Sequence, residues 1–227
     1  MPGVSATLPT PVLLVAMPQV LDPFFHHSVV LLVRHEEEGS FGVIVNRPTG
    51  IKVSEILKGM EVSWQGRDDA VAHFGGPVQP SLGTVLFGPP PAPPIPSTSP
   101  TPSTPSTPPT PPNDAEDSEN PEVTPGFEGG SEVADGVSLT QHVGDLSRLA
   151  AAPPEQLRLF LGYAGWGAGQ LIEEILRNDW LTAPVRSDLI FAPDPDRIWA
   201  ATLESVGVDP ATLPSWTHGS HGEETAN

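Results

Sequence analysis

Residues 162–173 read Gly162-Tyr163-Ala164-Gly165-Trp166-Gly167-Ala168-Gly169-Gln170-Leu171-Ile172-Glu173. A strand-like apolar run, Leu157–Leu161, precedes them, and an amphipathic pattern begins near Ala168. Four glycines, two aromatics and an amide therefore join a strand to a helix. Glycines at that density let the backbone take positive φ and approach a neighbouring chain closely. They also leave amide groups bare near a helix start, where an anion or carboxylate is favoured. The pattern predicts a helix over 168–178 and a glycine-rich turn before it.

Composition bounds the rest. The apolar runs 12–17 and 29–33 are too short to span a bilayer, which takes about 20 residues. The first seven residues hold no cation of the kind that opens a secretory signal. The chain has no cysteine, which excludes disulfides, thiol nucleophiles and thiolate metal sites and fits a reducing compartment. The expectation is a cytoplasmic protein with no membrane partner. Net charge is −18, from 28 acidic and 10 basic residues. Such a surface repels phosphate backbones, so direct nucleic-acid binding is not expected.

Residues 89–112 consist of 13 prolines, nine Ser or Thr, Ala92 and Ile95. Proline removes backbone donors, and no apolar set is present to bury. An acidic stretch without Lys or Arg follows, up to Asp135. Residues 88–134 are accordingly read as a disordered insertion and 216–227 as a disordered tail. The flanking segments, 8–87 and 135–215, are read as one α+β domain, because neither alone buries much. In the first, strands are expected at 12–17, 28–34, 41–46, 70–74 and 83–87, with a hairpin turn near 36–40 and a helix over 53–60. In the second, strands are expected at 137–139, 157–162, 181–185 and 189–191, and helices at 141–150, 168–178 and 195–206. Asp194 as cap, Pro195 in the first turn and Gly207 after the end punctuate the last helix.

Most familiar chemistries fail on spacing. A phosphate loop needs Gly-Lys-Ser/Thr, and neither Lys52 nor Lys58 stands in one. Gly165 and Gly167 supply two positions of a dinucleotide fingerprint, but the last is Gln170. His35-Glu36 opens a zinc-protease motif that Gly39 breaks. No cofactor or metal is expected. Asp22, Ser28 and a histidine (His26 or His27) are close in sequence and constitute a hydrolase alternative. No Gly-x-Ser-x-Gly elbow accompanies them, and Asp22 before Pro23 also suits a plain turn.

Several segments together resemble the YqgE/AlgH family of bacterial proteins. These are Leu14-Val15-Ala16-Met17-Pro18 with Asp22-Pro23, Phe25 and Ser28-Val29-Val30-Leu31-Leu32, then His35, Gly39 and 42–49 (Gly-Val-Ile-Val-Asn-Arg-Pro-Thr). Gly75-Gly76-Pro77-Val78, 83–86, Leu139-Thr140, 162–171, Trp180-Leu181, Phe191 and Trp199 continue the match in family order. Ile172, Phe87 and Arg34 stand where the family commonly has Glu, His and an acid. The resemblance implies a cytosolic α+β protein with a mixed, partly barrel-like sheet flanked by helices. It implies no settled activity. Members are often labelled transcriptional regulators, yet this chain has no basic recognition helix.

The resulting expectation is a non-enzymatic regulatory or accessory protein that binds a small ligand or a protein partner. Its candidate site is built from Asn46, Arg47, Gly75, Gly76, Gly165, Trp166, Gly167, Gly169 and Gln170. These are expected to converge on one groove where Arg47 and the helix start face an anionic or carbonyl-bearing group. In the competing reading, Arg47 pairs with Glu173 or Glu174 and the glycines serve close packing.

Overall fold

A computed structural model describes residues 8–89 and 130–214. The elements are β1 (Val12–Ala16), β2 (Val29–Glu36), β3 (Gly39–Ile44), β4 (Pro48–Lys52), α1 (Val53–Gly59), β5 (Val71–Phe74) and β6 (Val78–Phe87). After the insertion come β7 (Ser131–Ala134), β8 (Val137–Thr140), α2 (Val143–Ala151), β9 (Leu157–Gly167), α3 (Gln170–Leu176), β10 (Trp180–Ala183), α4 (Ser187–Ile190) and α5 (Pro195–Ser205).

The strands form one curled half-barrel sheet in the order β10-β1-β2-β3-β9-β6-β8-β7, with β4 on β5 and β5 on β9. Strand β9 joins the two halves of the chain. Its residues 157–161 pair antiparallel with β6, and 164–167 with β3. Phe160 and Leu161 also pair in parallel with His73 and Phe74 of β5. An interior strand from the second half thus completes the sheet begun by the first.

β1 is buried at every position, as expected of a strand covered on both faces. Leu13, Val15, Leu31 and Val43 face a core closed by Leu189, Ile190, Ile198 and Leu203 of α4 and α5. Leu14, Val30, Leu32 and Ile44 face the opposite side with Trp166, Leu171 and Trp180. A third core holds Val53 and Leu57 of α1, Leu149 of α2, and Ala72, Val85 and Leu159 of the sheet.

The β2–β3 hairpin turns at Glu37-Glu38, and α5 is capped by Asp194, which accepts from the Asp196 amide at 3.1 Å. Three expectations require correction. The segment 162–167 is strand, and only Ala168 and Gly169 separate β9 from α3, which ends at Leu176. Its first glycine sustains close pairing: a Cβ on Gly162 would strike the Gly76 carbonyl oxygen, just as a Cβ on Gly75 or Gly76 would strike the backbone of Gly162 or Tyr163. Residues 189–191 belong to α4 and the turn after it, where two adjacent buried residues suit a helical face as well as a strand. Pro48 opens β4 opposite His73, a position where a missing N–H is tolerated. Finally, Ser131–Ala134 form β7 on β8, so ordered structure begins before residue 135. The remaining expectation of disorder falls on residues 90–129 and 216–227, outside the described ones.

Candidate functional site

The loop from β1 to β2 and the segment from β9 through α3 to β10 enclose a groove of about 380 Å³. Asp22 shapes the first wall. Its Oδ1 accepts from the Phe24 and Phe25 amides at 2.8 and 3.3 Å, and its carbonyl accepts from the His26 amide at 2.8 Å. This is the local turn that an Asp before proline favours. It presents Phe25 to two indoles, with ring centroids 6.2 Å from Trp166 and 5.7 Å from Trp180. The indoles themselves meet edge to face at 5.8 Å.

Glu174 ties these rings to α3. Its Oε2 accepts from Trp166 Nε1 and Trp180 Nε1, each at 2.8 Å. Its Oε1 accepts from Gln170 Nε2 at 2.9 Å, and Gln170 Oε1 accepts from the Gly167 amide at 3.0 Å. Gly169 takes φ +74° ahead of α3, so the strand turns sharply enough to bring Gln170 back over Gly167. Asp179 and Arg177 complete the rim and pair with each other at 2.9 Å.

Of the residues proposed from sequence, Gly165, Trp166 and Gln170 line this groove, with Gly167 bonded to Gln170 and Gly169 turning the chain beside it. The other four lie elsewhere. Gly39 pairs with Gly167, and β3 runs from there about 17 Å to Ile44 before reaching Asn46 and Arg47. Arg47 is therefore at the opposite end of β3 from Gly167, and the expected convergence does not occur. Asn46 is a brace: its Oδ1 accepts from the Val29 amide and its Nδ2 donates to the His27 carbonyl, both at 2.9 Å. Arg47 Nη2 donates to the His26 carbonyl. Among the described residues Arg47 pairs with neither Glu173 nor Glu174, the latter being held by the indoles. Gly75 and Gly76 abut β9 and serve close packing.

The contribution of Phe25, Glu174, Asp179 and Trp180 was missed. Each lies on a different element from the glycine-rich segment or one turn beyond it, and only Phe25 and Trp180 carried a motif signal. The hydrolase alternative lacks its geometry. Ser28 Oγ is buried without a hydrogen-bond partner, so no histidine orients it, while His26 Nδ1 faces the Val20 carbonyl at 3.1 Å. Asp22 is engaged with backbone amides instead. Among the described residues no three His, Cys, Asp or Glu side chains cluster as metal ligands, and no helix is long and apolar enough to cross a membrane.

The molecule is thus an α+β protein with a curled half-barrel sheet and an aromatic, carboxylate-lined groove at one end of its central strand. It belongs to the AlgH-like family, whose model matches residues 13–211. Similar chains include a UPF0301 protein of Thioalkalivibrio sulfidiphilus, 32% identical over 86% of this chain and 88% of the relative. Another, from Methylococcus capsulatus, is 34% identical over 89% and 91%. The solution structure of the AlgH protein from Pseudomonas aeruginosa superposes with a TM-score of 0.62 at 28% identity, covering 94% of this chain and 98% of that one. A crystal structure from Corynebacterium diphtheriae, 20% identical over 87% of each chain, shares the fold with a TM-score of 0.60.

Proposed function

We propose that this protein is a non-enzymatic accessory or regulatory protein of the cytoplasm that holds a small ligand or a segment of a protein partner in the groove between Asp22 and α3. The observation that carries this reading is the groove itself. It gathers Asp22 and Phe25 from one loop with Trp166, Gln170, Glu174 and Trp180 from another part of the chain. Its volume of about 380 Å³ falls in the range of small-molecule sites. A regulatory role, if exercised, runs through that partner, because 28 acidic against 10 basic residues disfavour direct contact with DNA.

The test is a thermal-shift screen of a metabolite set against the wild type and Trp166→Phe. A ligand that binds only the folded form raises the midpoint by mass action. Hits that stabilise the wild type and lose their effect in Trp166→Phe support the reading. Hits that act equally on both, or ester turnover abolished by Ser28→Ala, overturn it.

A further inference from the structure

We infer that a second groove, beside Trp64, is the docking site of the chain's own proline-rich segment, with residues 90–96 as its occupant. This groove encloses about 510 Å³ and shares no residue with the one between Asp22 and α3. Trp64 and the Pro153-Pro154 pair form its walls, and Gln65, Arg67 and Glu155 are its polar side chains. Trp64 Nε1 donates to the Arg67 carbonyl at 3.0 Å, and Gly66 lies so close to the ring that a Cβ there would strike the indole. The indole is therefore held in place with its one N–H spent, and it offers a ligand its carbon surface. In a chain of net charge −18, this lining carries one cation and one acid. A fixed indole beside proline rings, without net charge, suits an uncharged proline-rich segment.

A segment of that chemistry leaves the fold at the groove itself. β6 and β9 pair antiparallel as far as Phe87 and Leu157, and the Gly88 amide donates to the Gln156 carbonyl at 2.9 Å. The same register carried onward sets Pro89 opposite Glu155 and the next two residues opposite Pro154 and Pro153, all three of which line the groove. Residues 89–96 read Pro-Pro-Pro-Ala-Pro-Pro-Ile-Pro. Their prolines have no N–H to extend the ladder, which favours polyproline II over further strand. In that helix three residues make a turn, so Pro90, Pro93 and Pro96 share one edge, and residues 90–96 reach about 22 Å. That edge is what an indole and two proline rings pack against. The tether at Gly88 holds the segment at an effective concentration on the order of millimolar, so a weak contact is enough to fill the groove.

The test compares the full chain with two variants of it, read from the Trp64 indole resonances. Pro90→Ser, Pro93→Ser and Pro96→Ser together remove the edge, whereas Pro105→Ser, Pro108→Ser and Pro111→Ser remove as many prolines farther along. The expected result is a Trp64 resonance shifted in the first variant and unmoved in the second, at every protein concentration. A free peptide of residues 89–100 is expected to bind the first variant roughly 5-fold or more tightly than the wild type, whose groove is already filled by its tethered competitor. Trp64 resonances unmoved by the first variant, or moved equally by both, overturn the inference. Equal affinity of the peptide for wild type and first variant also overturns it, leaving a groove open to proline-rich partners. Wild-type Trp64 resonances that move with protein concentration overturn it in favour of a contact between two copies.

Discussion

A Cβ placed on Gly75 would collide with the backbone carbonyl oxygen of Gly162. The two glycines come from opposite sides of the insertion, and their contact sets how closely β5 lies against β9. Both partners are backbone, so neither side can rotate away. Gly75→Ala is expected to cost roughly 2–4 kcal/mol, the range of severe overpacking. Gly59 is the control: it ends α1 with open space around it, so Gly59→Ala is expected to change stability by less than about 1 kcal/mol. Urea denaturation of both variants checks the contrast.

Glu174 is the shared acceptor of two indoles. Glu174→Ala leaves the Trp166 and Trp180 N–H groups without their acceptor, and both side chains are largely buried. A loss of about 2–4 kcal/mol is expected, from about 1–3 kcal/mol per unsatisfied buried group with partial relaxation. Glu174→Gln keeps a carbonyl acceptor and is expected to lose about half as much. Equal losses in the two variants would place the effect in packing and not in the hydrogen bonds.

His73 predicts an acid-sensitive fold. It is 6% exposed, with Nδ1 unpartnered, and burial together with nearby Arg158 pushes its pKa down to about 4. Because the unfolded chain binds the proton near pH 6.5 and the folded chain does not, stability falls as pH drops from about 6.5 to about 4. The full effect is on the order of 3 kcal/mol. His27, lowered by burial, His26 and Arg47, acts in the same direction. His73→Phe is expected to flatten the stability profile between pH 7 and 4.5. An unchanged slope would assign the acid sensitivity to other groups.

Arg158 is a half-buried charge near His73. Burial lowers its pKa to about 10, and its guanidinium donates to the Val45 carbonyl at 3.0 Å and to the Ala192 carbonyl. One planar fork thereby links the end of β3 to the turn after α4. Arg158→Lys supplies one ammonium for two acceptors and is expected to cost about 2 kcal/mol. Arg158→Met removes the charge as well, so the His73 pKa should rise in that variant, measured by its imidazole resonances. A fall in that pKa would contradict the assigned coupling.

Phe87 and Glu132 pair with opposite sides of Ser138, so the strands flanking the insertion lie about 10 Å apart. Both run antiparallel to β8 and hence in the same direction, a connection that requires a crossover of about a dozen residues. Replacing 90–129 by a 12-residue Gly/Ser linker is expected to keep the thermal midpoint within about 5 °C, since loop length enters stability only logarithmically. A larger drop or a broadened transition would show that the removed residues contribute packing.

Local chemistry was enough to identify the hydrophobic strands, the β2–β3 hairpin and the Asp194-Pro195 start of α5. Apolar runs, a polar turn and a helix cap act within a few residues of one another, and their meaning survives without a partner. The ordered motifs also sufficed for the family. The nature of 162–167 could not be read in the same way. Glycine is permissive, so the same residues suit a turn or a strand until a neighbouring backbone selects one. Here Gly75, Gly76 and β3 supply that neighbour, and the segment becomes strand.

The site divided along the same line. Gly165, Trp166 and Gln170 were legible because they sit in one dense motif, whereas Arg47 was misplaced because its distance from Gly167 depends on how β3, which precedes it, pairs with β9. The polarity of the groove was decided by tertiary structure alone. Phe25, Trp166, Glu174 and Trp180 come together only when β10 and the loop after β1 fold against α3. Once there, Glu174 accepts from both indoles and from Gln170, so which hydrogen-bonding groups the groove presents is settled by folding and not by the sequence motif.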